Sequence, residues 1–344
     1  MKIFERHDNI VLCRQFVVVL VDLAKQSGVH PDKILKGTRC FHQDLDIPNK
    51  RISTTELLTI IDNAIRLTKR GDLSFILGRK FFPGQLGSLS QAFLNCKNIA
   101  QMLKLCQLFQ FKICPFLYIN VVKTQGKTHL LFNSAIGEVS NIQQRFLYEF
   151  ILSAMVGAIK YRLGEIIPIA IKLPYKEVDY IEQYHVNLGN KVSFDQQLAM
   201  VSFDDVWLFH EIENCSQSLK NMSLLDARLI RKEQQHPIGF VQAVSQFIES
   251  RVTYQDVSLE HCAQYLSIST STLKRKLAQH QTSYQILLDR IRCQHAIFAM
   301  VENQQNNEHI ANSLQFNDVT NFRRAFKRWT GMTPTVFKEQ ATQH

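Results

Sequence analysis

Seven cations near the C-terminal end of this chain fall in two short windows. Lys274, Arg275 and Lys276 make the first, and Arg323, Arg324, Lys327 and Arg328 the second. Each window sits in a segment whose apolar residues recur at helical spacing. Leu273 and Leu277 define the buried side of the first. With about 3.6 residues per turn, the side opposite carries Ser271 and Arg275, flanked by Lys274 and Gln279. In the second, Phe322, Phe326 and Trp329 face inward, Thr320 and Arg324 lie opposite, and Asn321 and Lys327 flank them. An arginine can donate two hydrogen bonds to a guanine edge in the major groove, and cations around it can neutralise phosphates. The chemistry these residues suit is therefore recognition of DNA. Ser271, Lys274, Arg275, Thr320, Asn321 and Arg324 are the candidate base readers; Lys276, Arg323, Lys327 and Arg328 are the candidate phosphate contacts.

The two windows repeat one another in register. Ser271 to Thr320, Leu273 to Phe322 and Arg275 to Arg324 are each 49 residues, whereas Ala263 to Ala311 is 48, so the second turn holds one more residue. Ser258 can cap a helix carrying Leu259, Cys262, Ala263 and Leu266; Ser267-Ile268 breaks it, and Ser269 can cap Thr270 to Gln279. Ile310, Ala311 and Leu314 line another helix, Phe316-Asn317 breaks it, and Asp318 to Thr330 follows. Two short helices joined by a tight turn form a helix-turn-helix, and the spacing predicts one over about 258–280 and another over about 308–330. Tyr284 to Met300 gives a helix between them. To enter one face of a duplex, the two units must stand about one helical turn, ~34 Å, apart.

Residues 310–316, Ile-Ala-Asn-Ser-Leu-Gln-Phe, and 321–334, Asn-Phe-Arg-Arg-Ala-Phe-Lys-Arg-Trp-Thr-Gly-Met-Thr-Pro, resemble the signature of the AraC/XylS transcription regulators. The resemblance covers about 238–340, with Ala263, Leu266, Ser269, Leu273, Arg275 and Leu277 matching in the first unit. It implies a cytoplasmic regulator that binds double-stranded DNA, contacts RNA polymerase and more often activates than represses. Three positions depart from the pattern: Ser267, Gln281 and Gln315 stand where the family has glycine. If those positions need positive φ, they carry a cost that glycine would avoid.

The rest of the chain must position and control these units. Ile10 to Ser27 reads as a helix stopped by Gly28. Ser53, with Glu56 three residues on, opens another through a capping box. Asn98 to Phe111 reads as a third. Phe116 to Thr124 and Thr128 to Phe132 alternate as strands around Gln125-Gly126-Lys127. Ile142 to Leu163 is a long helix ended by Gly164, Ile167 to Leu173 a strand, and Val192 to Phe194 a short one. The fold class expected is an α+β N-terminal effector and dimerisation domain followed by an all-α DNA-binding domain with two helix-turn-helix units. The boundaries read as 1–205, a connecting helical stretch 206–237 broken by His236-Pro237, and 238–344. Leu219, Met222, Leu225 and Leu229 recur along the connecting stretch, which suits packing within the chain or, as the alternative, a homodimer seam.

Residues 20–205 also resemble the arabinose-binding-type (OruR-like) branch of the family, through Gly28-Val29 with Pro31, Arg51-Ile52-Ser53, and Phe82-Pro83-Gly84-Gln85-Leu86-Gly87. That resemblance implies a sensor of a small-molecule effector. Among the aromatic residues, which also suit a core, Phe82, Phe109, Phe111 and Tyr118 are the candidates for its pocket. An effector-independent regulator, whose N-terminal domain only dimerises or contacts polymerase, stays open.

Composition limits the other classes. The chain has 344 residues, 45% hydrophobic and 20% charged, with only 8 prolines and 13 glycines, which suits two folded domains. Its net charge of +10 favours a polyanionic partner. Nucleotide-binding, nucleophile-elbow and zinc-protease motifs are absent, so no enzyme, cofactor or metal is expected. His261-Cys262 and Cys293-Gln294-His295 sit on helices whose apolar periodicity accounts for the cysteines. The apolar stretch Ile10 to Leu23 is interrupted by Arg14, Gln15 and Asp22 and is shorter than the ~20 residues that span a bilayer.

Overall fold

The structure, a computed structural model, describes residues 3–233, 238–253 and 257–342. The chain divides into two compact units, Met1–Gly239 and Phe240–His344. The first is mixed α/β. Its five-stranded sheet runs Leu117–Thr124, Lys127–Ser134, Met200–Asp204, Ala170–Lys172, Val192–Ser193, antiparallel except for the last pair. The hairpin at its edge is the one the alternation predicts, in register from Leu117 opposite Ser134 to Thr124 opposite Lys127.

The sheet's middle strand, Met200–Asp204, was not expected. It is five residues long and shows no more than Val201 and Phe203 alternating inward, at 0% and 3% exposed. A short helix at Ile181–Leu188 was not expected either, whereas Asp205–Phe209 is a short helix at the start of the stretch expected to be helical. The helix expected over Ile10 to Ser27 starts only at Cys13, because Asn9–Leu12 pairs antiparallel with Arg51–Ser53. Ile10, Val11 and Ile52 are residues that favour strands, and pairing satisfies the backbone groups of both segments. Arg51-Ile52-Ser53 is therefore a strand whose last residue becomes the cap of Thr54–Thr68. There the expected capping box is present, with the Ser53 amide donating to Glu56 Oε2 at 2.9 Å and the Glu56 amide to Ser53 Oγ at 3.2 Å. The helix expected over Asn98 to Phe111 is two, Ile99–Leu108 and Gln110–Ile113.

The connecting stretch forms a helix, Gln217–Glu233, which packs on Ser88–Leu94. The side that docks is not the apolar stripe. Lys220 and Ser223 are buried, the Lys220 ammonium donates to Gln101 Oε1 at 2.8 Å, and Leu224 joins the core. Leu219, Met222 and Leu225 stay 53%, 63% and 57% exposed, which corrects their reading as intramolecular packing. The side chain of Leu229 and the His236-Pro237 break lie outside the described residues. Ile238–Gly239, expected to open the all-α part, instead forms a short parallel pair with Ile3–Phe4 within the first unit.

An aromatic hub holds the first unit together. Phe16, Phe81, Phe116 and Phe150 come from different elements, and the Phe16 ring lies 5.4–5.5 Å from each of the other three. The Phe81 and Phe150 rings are 5.2 Å apart and nearly perpendicular, the edge-to-face arrangement aromatic pairs prefer. The helices Leu73–Phe81 and Asn141–Leu163 can approach this closely because residue 78 has no side chain. A Cβ there would stand 2.5 Å from the Phe150 carbonyl oxygen and 2.7 Å from Ser153 Cβ. Gly78→Ala should therefore destabilise the protein by about 1–3 kcal/mol, the usual cost of overpacking. At an unobstructed helical site the same change would gain about 0.8–1 kcal/mol. Urea unfolding gives the sign directly; a gain in stability would show that these helices part freely.

The regular elements among the described residues of the second unit are all helices: Phe240–Glu249, Leu259–Tyr265, Thr270–Gln279, Tyr284–Val301, Asn307–Ser313, Val319–Thr330 and Pro334–Thr342. Tyr284–Val301 is buried on several sides. It carries Leu287, Leu288, Ile291, Ala296, Phe298 and Met300 inward and meets both Phe240–Glu249 and the last three helices.

Candidate nucleic-acid interface

Each cationic window lies on the second helix of a pair. Thr270–Gln279 begins at Ser269, whose hydroxyl accepts from the Thr272 amide at 3.1 Å. Leu273 and Leu277 are 0% and 1% exposed, while Ser271, Lys274, Arg275 and Gln279 are exposed. Val319–Thr330 begins at Asp318, which accepts from the Asn321 amide at 2.7 Å. Phe322 and Phe326 are fully buried in a cluster with Ala296, Met300, Ile310, Ala311 and Leu314, and Trp329 packs at its edge. Thr320, Asn321, Arg323, Arg324, Lys327 and Arg328 are exposed. The outer faces are thus the expected ones, and burial of the apolar faces puts them there.

The turns of the two pairs share one hydrogen-bonding pattern. Ser267 adopts φ +56° and Gln315 φ +58°. The amide after each reaches back to the alanine five residues earlier, Ile268 to the Ala263 carbonyl at 3.0 Å and Phe316 to the Ala311 carbonyl at 2.9 Å. This is the left-handed helix stop that satisfies terminal carbonyls. The extra residue of the second pair, Asn317, follows the stop and leaves its geometry unchanged. Gln281, after the first cationic helix, is also left-handed at φ +55°, and Gly331 occupies the corresponding place after the second at φ +77°.

Not every candidate contact is equally available. Lys276 is half-buried, its Nζ 5.2 Å from the centre of the Phe240 ring. Arg328 donates to Asp289 Oδ2 at 3.0 Å and so ties its helix to Tyr284–Val301. The Asn321 side-chain amide donates to Asp318 Oδ2 at 2.8 Å. Asp318 and Asp289 are positioning residues that the reading of the cations missed. Asp318 had a signal, an acidic residue three positions before Asn321 at a helix start; Asp289, 39 residues from its partner, had none.

The four expected pocket residues line neither the cleft beside His30 nor the one beside Arg145. Phe82 packs against Phe93 and Tyr161, and Phe111 against Phe4. Phe109 and Tyr118 are buried at 2% and 5% exposed. Clefts in the first unit open elsewhere, beside His30 and Phe41 and beside Arg145 and Tyr180. Of the eight cysteines, which form no disulfide, all but Cys106 and Cys215 are buried, and burial pushes the thiols of Cys262 and Cys293 up to about 12. Among the described residues, no group of three or more His, Cys, Asp and Glu is placed to hold a metal ion, and no helix is long and apolar enough to cross a membrane.

A mixed α/β domain followed by an all-α region with an exposed, cationic helix-turn-helix defines a DNA-binding transcription regulator. Residues 28–211 match the arabinose-binding domain found at the N-terminus of AraC transcription regulators, and residues 262–340 match a helix-turn-helix domain. The chain belongs to the AraC/XylS family of regulators, which are not enzymes. It is 24% identical over 329 residues to the ornithine utilization regulator of Pseudomonas aeruginosa, covering 94% of this chain and 95% of that one. It is 31% identical over 100 residues to the regulator VqsM of the same organism, which covers 29% of this chain and 30% of the other. The crystal structure of the transcriptional regulator CdpR from Pseudomonas aeruginosa aligns over 94% of this chain and 98% of its own, at 18% identity and a TM-score of 0.47.

The left-handed residues generate a stability prediction. Left-handed backbone costs a residue with a Cβ about 1–2 kcal/mol, and glycine loses about 0.5–1 kcal/mol in conformational entropy. Ser267→Gly, Gln281→Gly and Gln315→Gly should each stabilise the second unit by up to about 1 kcal/mol. Urea unfolding followed by Trp329 fluorescence in a Trp207→Phe background measures it. Destabilisation by Gln315→Gly would mean that its side chain contributes more than the backbone strain removes.

Proposed function

We propose that this protein reads two neighbouring DNA boxes with two helix-turn-helix units, about 258–280 and 308–330, and activates transcription in response to a small-molecule effector. The observation that carries this is the repetition: Arg275 and Arg324 stand 49 residues apart, each exposed opposite a fully buried pair of side chains. A solvated helix face needs no such register. Ser271, Lys274, Arg275, Thr320, Asn321 and Arg324 read bases, Asn321 after leaving Asp318. Arg323 and Lys327 take phosphates. Lys276 and Arg328 do so from the edge, since one leans on Phe240 and the other is paired with Asp289.

The division of labour follows: 1–205 senses the effector, 206–239 connects, and 240–344 binds DNA and contacts RNA polymerase in the cytoplasm. The full-length likeness to the ornithine utilization regulator supports a place in the OruR-like branch. The exposed stripe of Leu219, Met222 and Leu225 on Gln217–Glu233 supports a homodimer, because burying it against a second copy removes apolar surface from water.

The test is selection of bound sequences from a random DNA pool. A bidentate arginine–guanine contact discriminates by about 1–3 kcal/mol per base. Arg275→Ala should relax preference in one box and Arg324→Ala in another about 10 base pairs away. Lys327→Ala should weaken every sequence alike and reduce the slope of log affinity against log salt by about 0.9. If both arginine variants keep the parent motif, these side chains do not read bases and another face enters the groove.

A further inference from the structure

A cleft of about 250 Å³ opens in the first unit where the end of Thr54–Thr68, the start of Leu73–Phe81 and the first turns of Asn141–Leu163 meet Tyr180. Its apolar walls are Ile65, Leu73, Ile142 and Phe146, and its polar groups are Lys69, Arg70, Ser74, Arg145, Glu149 and Tyr180. That is smaller than the ~300 Å³ at which pockets for drug-sized ligands begin, so any occupant is small.

The charges in this cleft do not cancel. Glu149 is 2% exposed and already engaged, accepting from Ser74 Oγ at 2.6 Å, from the Tyr180 hydroxyl at 2.9 Å and from the Tyr184 hydroxyl. Burial raises its pKa, against the three hydrogen bonds and the charge of Arg145, which lower it. Arg70 is matched by Asp72 through two 2.8 Å hydrogen bonds. Asp72 gives its carboxylate to that pair and makes no side-chain cap to Leu73–Phe81, which leaves the helix start lining the cleft uncapped. Two cations remain. Lys69 is exposed and held left-handed at φ +53°, at the end of its helix. Arg145 is half-buried, its guanidinium 5.6 Å from the centre of the Tyr180 ring and its Nε 4.0 Å from the already occupied Glu149. A small cleft with apolar walls, an uncapped helix start and surplus positive charge suits an anion with an apolar body.

We propose that this cleft is the effector site and that it binds a small organic monocarboxylate, whose carboxylate is taken by Arg145 and Lys69 while its body lies along Ile65, Leu73, Ile142 and Phe146. The proposal rests on the reading of the first unit as an effector sensor. A carboxylate held by charge-assisted hydrogen bonds loses about ten- to a hundred-fold in affinity when one donor is removed. The fixed position of Tyr180 matters too: a Cβ at residue 71 would stand 2.8 Å from its ring, so the loop before the cleft and the tyrosine are fitted to each other.

The experiment is thermal unfolding of the full-length protein, without DNA, in titrations of sodium benzoate, 4-methylpentanoate and butyrate, with benzamide and sodium phosphate as controls. DNA affinity is measured on the same preparations. The expected result is a saturable rise in Tm with at least one carboxylate and none with benzamide, weakened about ten- to a hundred-fold in Arg145→Met and in Lys69→Gln. Lys69 is exposed, so Lys69→Gln keeps the test decisive should Arg145→Met fold poorly. No rise with any carboxylate would overturn the proposal, and DNA binding in that case would leave the regulator reading standing. Undiminished carboxylate binding by both variants, or an equal effect of phosphate, would also overturn it. Carboxylate binding lost in the variants, in a protein that binds no DNA, would support the cleft and count against the regulator reading.

Discussion

Burial of one face on each of two short helices fixes the candidate interface. Leu273 and Leu277 on one, and Phe322 and Phe326 on the other, are removed from water almost completely. Each such side chain contributes about 1.5–3 kcal/mol relative to exposure. Turning either helix by one residue would expose both anchors and drive a cation toward the core, where an unpaired charge costs several kcal/mol more. Arg275 and Arg324 therefore point outward because the opposite face has no alternative. The long Tyr284–Val301 helix extends the same constraint, since Ala296 and Met300 belong to the cluster that seats Phe322 and Phe326.

The turns show how much departure the fold tolerates. Ser267, Gln281 and Gln315 keep left-handed backbone where glycine would adopt it without a steric penalty. Three such residues cost a few kcal/mol in total at about 1–2 each, which is of the same order as one buried pair of leucines. The helix stops persist because the anchors beyond them are large and fully buried. Backbone strain and apolar burial are set against each other within a few residues, and burial prevails.

This balance also explains what could be read from the sequence. The helix pairs were legible because each has an apolar period, a capping residue and a break: Thr270–Gln279 begins and ends as the pattern indicates, and Val319–Thr330 begins one residue after its capping Asp318. The Ser53–Glu56 box and the hairpin around Gly126 were legible for the same reason, since a local rule specifies each. Met200–Asp204 was not, because a five-residue central strand gains its stability from neighbours 70 residues earlier and 30 earlier in the chain, on which local pattern is silent. The stripe on Gln217–Glu233 misled differently. Its spacing is truly helical, yet the side that docks uses Lys220 and Ser223, a polar pair that burial can accept because the ammonium has a partner in Gln101. The aromatic candidates for a pocket show the limit of composition as a guide, because such residues are at home in a core: Phe82 packs on Phe93 and Phe111 on Phe4.

Stability alone does not account for the charge on the second cationic helix. Arg323 with Lys327, and Arg324 with Arg328, are like charges four residues apart, each pair unfavourable by about 0.2–0.5 kcal/mol. Lys327 and Arg328 recover about 0.3–1 kcal/mol each from the helix C-terminus, and Arg328 gains a partner in Asp289. Arg323 and Arg324 have neither compensation, lying mid-helix with no ion pair among the described residues. A solvated cation of this kind is unspent: it keeps its counterions until a phosphate or a base edge displaces them, and their release favours binding. In the proposed DNA complex Arg328 would first give up Asp289, and Lys276 its contact with Phe240, so the same positive charge would be worth less at those two positions. The helix thus separates a cation that holds it to its scaffold from cations without an ion pair among the described residues, and of the latter Arg324 lies opposite Phe322 and Phe326 while Arg323 flanks them.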